Sequence, residues 1–200
     1  DLYMWHQLMA KKGYIIWICD NRASSLKGAV HSWKVYKNLG KQELSDTHES
    51  IEWLCRQKYV DSSRIGIWGW SYGGYMTCYA LTNSKKFKMG IAIAPVTDWR
   101  NYDSVYTERY MKKPQNNKKG YRESSPVHKA NDLYGKLLLV HGTDDDNVHM
   151  QNSLQFAYAL QQAGKSFQMM IYPKSKHGIN DPQLSYHLFS LMTKFVLENL

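Results

Sequence analysis

The sequence predicts an α/β fold in which a mostly parallel sheet is covered by helices on both faces. Short apolar runs typical of buried strands alternate along the chain with longer segments of helical periodicity. With 200 residues, of which 43% are hydrophobic, the chain is long enough to bury a full core as one domain. No internal repeat, low-complexity tract or interdomain linker interrupts the alternation.

Five segments have the composition of buried strands, since each is a short run of mainly apolar residues. One of them, Arg64–Trp68, leads directly into a glycine-rich turn, and another, Leu137–Val140, is wholly apolar. In chain order, the predicted strands are Tyr14–Cys19, Arg64–Trp68, Met89–Ala94, Leu137–Val140 and Phe167–Tyr172.

Five longer segments are predicted to be helices. In the fourth of them, apolar and polar residues alternate at roughly helical spacing, and Gly164 is suited to end the helix. The weakly patterned stretch Met111–Ala130 is expected to rise above the sheet, where loops often line an active site. In chain order, the predicted helices are Leu2–Lys11, Gln42–Gln57, Tyr72–Thr82, Gln151–Ala163 and Gln183–Asn199.

The turn after the second predicted strand carries the most informative motif. Residues 69–74 read Gly-Trp-Ser-Tyr-Gly-Gly between a strand and a helix, which is the context of a nucleophile elbow. In such an elbow Ser71 is strained, its hydroxyl is exposed above the sheet edge, and the N–H of Tyr72 points to the same space. Side chains at Gly69 and Gly73 are expected to collide with the neighbouring strand and helix. The alternative is a glycine-rich turn that holds a serine by chance.

A serine hydroxyl is a poor nucleophile until a base removes its proton. In folds with this elbow, an acid and then a histidine follow, each in a loop after a later strand. The fourth predicted strand ends in a loop that contains Asp144–Asp146, and the fifth ends in a loop that contains His177. The joint order of serine, aspartate and histidine therefore predicts the catalytic triad of an α/β-hydrolase. His141, which ends the strand before the aspartates, is expected to be a packing residue.

Each of these loops also has an ordinary explanation. Three consecutive aspartates are commonly solvated surface charge, and a His-Gly pair after a strand is commonly a plain turn. The aspartates lack the alternating ligand spacing of a calcium loop, so no metal site is expected, and no cofactor is predicted.

The net charge bears on whether the chain binds nucleic acid, and the cysteine spacing bears on whether its thiols are free. The formal net charge is +9, from 26 Lys and Arg against 17 Asp and Glu. The basic residues are dispersed and no nucleic-acid motif is present, so no nucleic-acid partner is expected. No membrane segment is evident in the sequence. The three cysteines have no CxxC spacing and are expected to be buried free thiols.

A further run of residues indicates a family. The segment Ala94–Met111 reads Ala-Pro-Val-Thr-Asp-Trp-Arg-Asn-Tyr-Asp-Ser-Val-Tyr-Thr-Glu-Arg-Tyr-Met. Together with the elbow and with His-Gly-Thr-Asp-Asp-Asp-Asn-Val, it closely resembles the catalytic domain of the dipeptidyl-peptidase IV family of prolyl-oligopeptidase-type serine peptidases. The resemblance extends from about Lys11 to the C-terminus. It implies release of N-terminal dipeptides whose second residue is proline or alanine, with a preceding β-propeller domain that holds the free amine of the substrate.

The resemblance also implies a role for individual positions. Ser71 matches the nucleophile, Asp145 the acid and His177 the base, whereas the physical pattern alone did not select one of the three aspartates. The N–H of Tyr72 matches one oxyanion donor, and Asn147 matches a side chain that binds the carbonyl of the penultimate residue. Four residues match a small apolar pocket for proline, although their spacing is also common in ordinary cores: Val96, Trp99, Tyr102 and Tyr106.

The chain departs from the family pattern in two respects. Ala23 stands where the family usually has glycine, and no residue can be assigned to the tyrosine that supplies the second oxyanion donor. Because Asp1 opens almost directly into a helix, residues 1–200 are expected to be the C-terminal part of an α/β-hydrolase peptidase domain. The first strands and the propeller would then lie upstream, and these 200 residues alone are expected to have little or no dipeptidyl-peptidase activity.

The predicted reaction is two-step acyl transfer. The resemblance implies that its substrates are peptides with a free N-terminus. The resemblance further implies a homodimer and favours a periplasmic, secreted or cell-surface location. Two alternatives remain open. One is another α/β-hydrolase, such as an acylaminoacyl peptidase or an esterase, which does not need a free amine. The other is a non-catalytic interaction domain, although such relatives typically lose the nucleophile.

Overall fold

The structure, a computed structural model, describes residues 2–200. Four strands form one sheet in which each neighbouring pair is parallel, and their order in the sheet follows their order in the chain. The strands are β1 (Gly66–Trp70), β2 (Met89–Ile93), β3 (Lys136–Gly142) and β4 (Gln168–Tyr172). The predicted α/β fold with a parallel sheet is therefore confirmed.

Eight α-helices accompany the sheet within residues 2–200. The longer ones are α1 (Leu2–Lys11), α3 (Lys41–Leu54), α4 (Tyr72–Asn83), α7 (Gln151–Gln162) and α8 (Pro182–Asn199). The shorter ones are α2 (Ala29–Ser32), α5 (Ser104–Met111) and α6 (Lys118–Glu123). Short 3-10 helices span Trp33–Val35, Trp99–Asn101, Pro114–Asn116 and Pro126–Asp132. Within this described part of the chain, no helix is both long enough and apolar enough to cross a bilayer.

The sheet separates two apolar cores. In β3, Leu137 and Leu139 face one core while Leu138 and Val140 face the other, as the two-residue period of a strand requires. Helices α3, α4 and α7 line the first core, and α1 and α8 line the second. Each connection moves to the next strand in the same direction with the same handedness, so the connecting helices share one face. Helices α1 and α8 cover the opposite face.

Two predicted segments differ from the structure. Tyr14–Cys19 is not a strand, because no strand among residues 2–200 pairs with it. Its composition favours an extended chain, but a strand also needs a neighbour that accepts its backbone hydrogen bonds. The stretch Met111–Ala130 is more regular than its pattern suggests. It contains α6, the 3-10 helix Pro114–Asn116 and most of the 3-10 helix Pro126–Asp132, and it buries Tyr121 and Ser125.

The parallel direction of the strands brings four connections to one edge of the sheet. Ser71 follows β1, Ala94 follows β2, Thr143 follows β3 and Pro173 follows β4. Ligand sites of open parallel sheets form at this carboxyl edge. Every candidate site residue predicted from the sequence lies in one of these four connections.

Candidate active site

Ser71 lies on the sharp turn between β1 and α4. Its backbone has φ 59° and ψ −114°, a conformation that is costly for any residue with a side chain. The Ser71 N–H donates to the carbonyl of Ile93 at the end of β2 (2.8 Å), and the Ser71 carbonyl accepts from the N–H of Tyr75 in α4 (2.9 Å). Bonds to the sheet and to the helix therefore hold the strained turn.

Close backbone approach explains two glycines of the turn. A Cβ at Gly69 would lie 2.3 Å from the carbonyl carbon of Gly73, and a Cβ at Gly74 would lie 2.6 Å from the carbonyl oxygen of Ile93. A Cβ at Gly73 itself would meet nothing within 4 Å, so the predicted collision at Gly73 is wrong. The crowded positions are Gly69, against the helix, and Gly74, against β2.

The side chain of Tyr72 is fixed by a buried carboxyl group. Its hydroxyl donates to Oε1 of Glu43 (2.5 Å), and the N–H of Gly40 donates to Oε2 of the same residue (2.9 Å). Burial raises the pKa of Glu43, which is only 3% exposed. The backbone N–H of Tyr72 is at the first position of α4, where no carbonyl of the helix can accept it. No sequence pattern indicates Glu43, because it lies in a different helix from the motif.

Asp145 and His177 are joined by a hydrogen bond between loops that follow β3 and β4. Oδ2 of Asp145 lies 2.9 Å from Nδ1 of His177, and the aspartate side chain is completely buried. Oδ1 of Asp145 accepts from the backbone N–H groups of Asn147 (3.0 Å) and Val148 (2.9 Å). These bonds set the orientation of the carboxylate. Because Nδ1 of His177 is bonded to Asp145, Nε2 is the ring nitrogen left to bond another group.

The histidine loop also contacts the serine turn. The indole N–H of Trp70, the residue before Ser71, donates to the backbone carbonyl of His177 (2.8 Å). Within residues 2–200, no hydrogen bond joins the His177 ring to the Ser71 hydroxyl. The structure therefore brings the two loops together through Trp70, a contact that no sequence pattern indicates.

The two neighbouring aspartates have different surroundings from Asp145. Asp144 accepts a hydrogen bond from the hydroxyl of Thr143 (2.7 Å), and Asp146 forms an ion pair with Lys176 (2.9 Å). The hydrogen bond from Lys176 lowers the pKa of Asp146. Both carboxylates are exposed, whereas the side chain of the middle aspartate faces inward. Of the three, Asp145 is the one that contacts His177.

The predicted pocket residues form an aromatic cluster next to the turn. Trp99 is buried and stacks on Tyr106, with ring centroids 6.0 Å apart and an interplanar angle of 20°. Tyr102 meets Trp99 edge-on at 6.0 Å, and Tyr72 lies 5.7 Å from Trp99 on another side. Val96 is buried in the same core. Burial raises the pKa of Tyr106 to about 12.

The fold of the β2–β3 connection sets the position of this cluster. Asp98 accepts from the backbone N–H of Arg100 (2.9 Å) and from its guanidinium (2.7 Å), which caps the 3-10 helix that carries Trp99. The hydroxyl of Tyr102 donates to Oδ1 of Asn147 (2.8 Å). The amide NH2 group of Asn147 is therefore the part of that exposed side chain left to donate to another molecule.

Comparison with known proteins agrees with this architecture. The model of the prolyl oligopeptidase family matches residues 3–200. The chain belongs to this family. It shares 40% identity over 193 residues with prolyl endopeptidase FAP of Mus musculus and 41% over 193 residues with dipeptidyl peptidase 4 of Bos taurus. Each alignment covers 94% of this chain and 25% of the relative.

A solved bacterial protein has the same fold. Dipeptidyl peptidase 4 of Porphyromonas gingivalis matches with a TM-score of 0.95 and 45% identity, over 98% of this chain and 28% of that chain. The predicted resemblance to dipeptidyl-peptidase relatives is therefore confirmed. The chain spans about a quarter of the length of the curated relatives named above, which are covered to 25%.

Proposed function

We propose that this chain is the catalytic part of a serine peptidase that releases N-terminal dipeptides with proline or alanine in second position. One observation carries the proposal: the bonded pair Asp145–His177 is held beside the strained turn of Ser71 at the carboxyl edge of the sheet. Acyl transfer by serine needs a nucleophile, a base and an oriented acid in one place. Membership of the prolyl oligopeptidase family supports the same chemistry.

The proposed reaction has two matched steps. His177 takes the proton of Ser71 as Oγ attacks the peptide carbonyl, and the N–H of Tyr72 donates to the oxyanion that forms. The C–N bond then breaks as His177 returns the proton to the leaving amine. Water attacks the acyl-enzyme by the same route and releases the dipeptide. Asp145 keeps the Nδ1–H of His177 in place and stabilises the imidazolium.

The aromatic cluster supports a preference for proline. Its walls are rings of Trp99, Tyr102 and Tyr106, which carry no charge at neutral pH. A pyrrolidine ring can pack its apolar carbons on such rings. Alanine is small enough to enter, and a missing methylene changes discrimination by only about 1–3 kcal/mol.

The proposal includes parts outside these 200 residues. The chain spans 25% of the length of dipeptidyl peptidase 4 of Bos taurus. We place the second oxyanion donor and the acidic groups for the substrate amine in a further segment of the protein. Loss of one oxyanion donor costs about 10²–10³ in turnover, so the 200 residues alone should have little activity.

The test compares a free and a blocked substrate. The protein expressed from its complete gene should hydrolyse a Gly-Pro amide and should turn over the N-acetylated amide far more slowly. The Ser71→Ala variant, measured in parallel, should hydrolyse neither. Equal turnover of the free and acetylated amides by the unmodified protein would contradict the dipeptidyl-peptidase assignment and favour an acylaminoacyl peptidase or an esterase.

A further inference from the structure

A second histidine lies against the aspartate that contacts His177. The side chain of His141, at the end of β3, is completely buried. Its Nε2 is 2.8 Å from the carbonyl oxygen of Val148 and 3.2 Å from Oδ2 of Asp145. Its Nδ1 is 2.6 Å from the hydroxyl of Ser153 in α7. The proposed reaction gives His141 and Ser153 no part, although burying polar side chains costs free energy that their hydrogen bonds must offset.

Hydrogen-bond chemistry defines the form of His141. Both neighbours of Nε2 are oxygen acceptors, so Nε2 carries a proton. Burial lowers the pKa of His141, which favours the neutral ring. Nδ1 of the neutral ring has a lone pair and accepts from the hydroxyl of Ser153. Ser153 therefore selects the tautomer that directs an N–H toward the acid loop.

This N–H holds Asp145 through two contacts. The carbonyl of Val148, which accepts it, belongs to the same turn whose N–H groups bond Oδ1 of Asp145. The positive end of the Nε2–H dipole also lies 3.2 Å from Oδ2, the oxygen that accepts from His177. Water has no access to this carboxylate, because its side chain is 0% exposed. Its orientation thus depends on these protein groups.

We propose that His141, oriented by Ser153, is a positioning residue that holds Asp145 in the orientation required by its bond to His177. The inference rests on the proposed function. His141 does not touch the substrate. Its effect is therefore greatest when His177 becomes charged in the transition state, which lowers kcat and kcat/KM together when the contact is lost. Hydrogen-bond partners of the ligands in metal sites typically contribute about 10–100-fold to affinity or activity, and by analogy a loss of this size is expected for His141.

The experiment uses three variants of the protein expressed from its complete gene. His141→Leu removes both ring nitrogens and should lower kcat for a Gly-Pro amide by about 10–100-fold with little change in KM. His141→Gln keeps an N–H donor near the position of Nε2 and should recover most of the lost kcat. Ser153→Ala removes only the bond to Nδ1 and should cost about 2–10-fold in kcat.

A matched control is available at the other end of the sheet. Nε2 of His48 in α3 lies 2.9 Å from the hydroxyl of Ser84, which follows α4 at the amino edge. His48→Leu also removes a partly buried histidine–serine bond, but far from the site, and should leave kcat unchanged. Thermal unfolding of each variant reports separately on stability.

The outcomes distinguish the inference from the function on which it rests. A folded His141→Leu protein with wild-type kcat, or with only KM altered, would overturn the positioning role. Equal losses in folded His141→Leu and His141→Gln would do the same, because shape rather than donation would then matter. If His141→Leu does not fold, full activity of Ser153→Ala would overturn it. An unmodified protein that neither hydrolyses the amide nor reacts with a fluorophosphonate would refute both proposals.

Discussion

Replacing Asp145 with asparagine should move the proton on His177 to the wrong nitrogen. The Oδ1 position of Asp145 faces two backbone N–H groups, from Asn147 at 3.0 Å and Val148 at 2.9 Å. The NH2 group of an asparagine at that position would place donors against donors. The amide oxygen of the asparagine must therefore occupy the Oδ1 position. The NH2 group of the asparagine then faces Nδ1 of His177, at a site where the two atoms are now 2.9 Å apart.

This geometry sets the size of the effect. Nδ1 must become an acceptor beside an NH2 group, so the ring carries its proton on Nε2 and can no longer accept the proton of Ser71. In a triad whose geometry is otherwise intact, the wrong tautomer lowers kcat by about 10⁴-fold. The KM value should change little, because in the proposed reaction the side chain does not touch the substrate.

The assay is hydrolysis of a Gly-Pro amide by the protein expressed from its complete gene, with two neighbouring variants as controls. Asp144→Asn and Asp146→Asn alter exposed carboxylates whose partners are Thr143 and Lys176. Exposed ion pairs contribute only about 0–1 kcal/mol, so both variants should keep most of their activity. A larger loss in either control than in Asp145→Asn would refute the assignment of the acid.

Three further predictions test the surroundings of the site. Tyr106→Ala removes the ring stacked on Trp99. The unmodified protein is expected to prefer Pro over Leu amides by about 10–200-fold in kcat/KM, and the variant should lose part of this preference while Ser71 still reacts with a fluorophosphonate. An unchanged preference would contradict the pocket. Tyr72→Phe removes a donor to buried Glu43 and should lower the free energy of unfolding by about 1.5–3 kcal/mol in denaturant titrations. Burial already raises the pKa of Glu43 above its unfolded-state pKa of 4.5. The protonated form of Glu43 therefore stabilises the fold at low pH, and this stabilisation is lost as the pH rises through the folded-state pKa. Losing the donor raises that pKa further, so the deficit should be larger at neutral pH than at about pH 4, and a pH-independent deficit would contradict the bond. Gly69→Ala places a Cβ 2.3 Å from the backbone carbonyl carbon of Gly73. It should lower the free energy of unfolding by about 1–3 kcal/mol or more and abolish fluorophosphonate labelling of Ser71. A stable variant that is fully labelled would refute the packing of the turn.

Local sequence patterns predicted those helices and strands whose formation depends mainly on their own residues. Helix α1 spans the predicted Leu2–Lys11, and β2 begins at the predicted Met89. The pattern of Tyr14–Cys19 is as apolar as that of the true strands, yet the segment forms no ladder within residues 2–200. Pairing depends on a neighbouring strand, which composition does not encode.

The site shows the same division between local and spatial information. The motif identified the turn at Ser71, and the shared direction of parallel strands explains why its loops meet at one edge. Sequence spacing could not distinguish Asp145 from its neighbours, because the difference arises from which carboxylate turns inward. The sequence does not predict the contacts of Glu43 and Trp70 with the site, because each contact joins residues that are far apart in the chain. The sequence predicts a packing role for His141, and its contact with Asp145 is visible only in the structure.

The most direct measurement of the central claim is to identify the serine that reacts with a fluorophosphonate. The protein expressed from its complete gene is labelled, digested and analysed by mass spectrometry, with Ser71→Ala treated in parallel. The account predicts a single modified peptide that carries the label on Ser71, and loss of both labelling and Gly-Pro amide hydrolysis in the variant. Label on another serine, or an active Ser71→Ala protein, would contradict it.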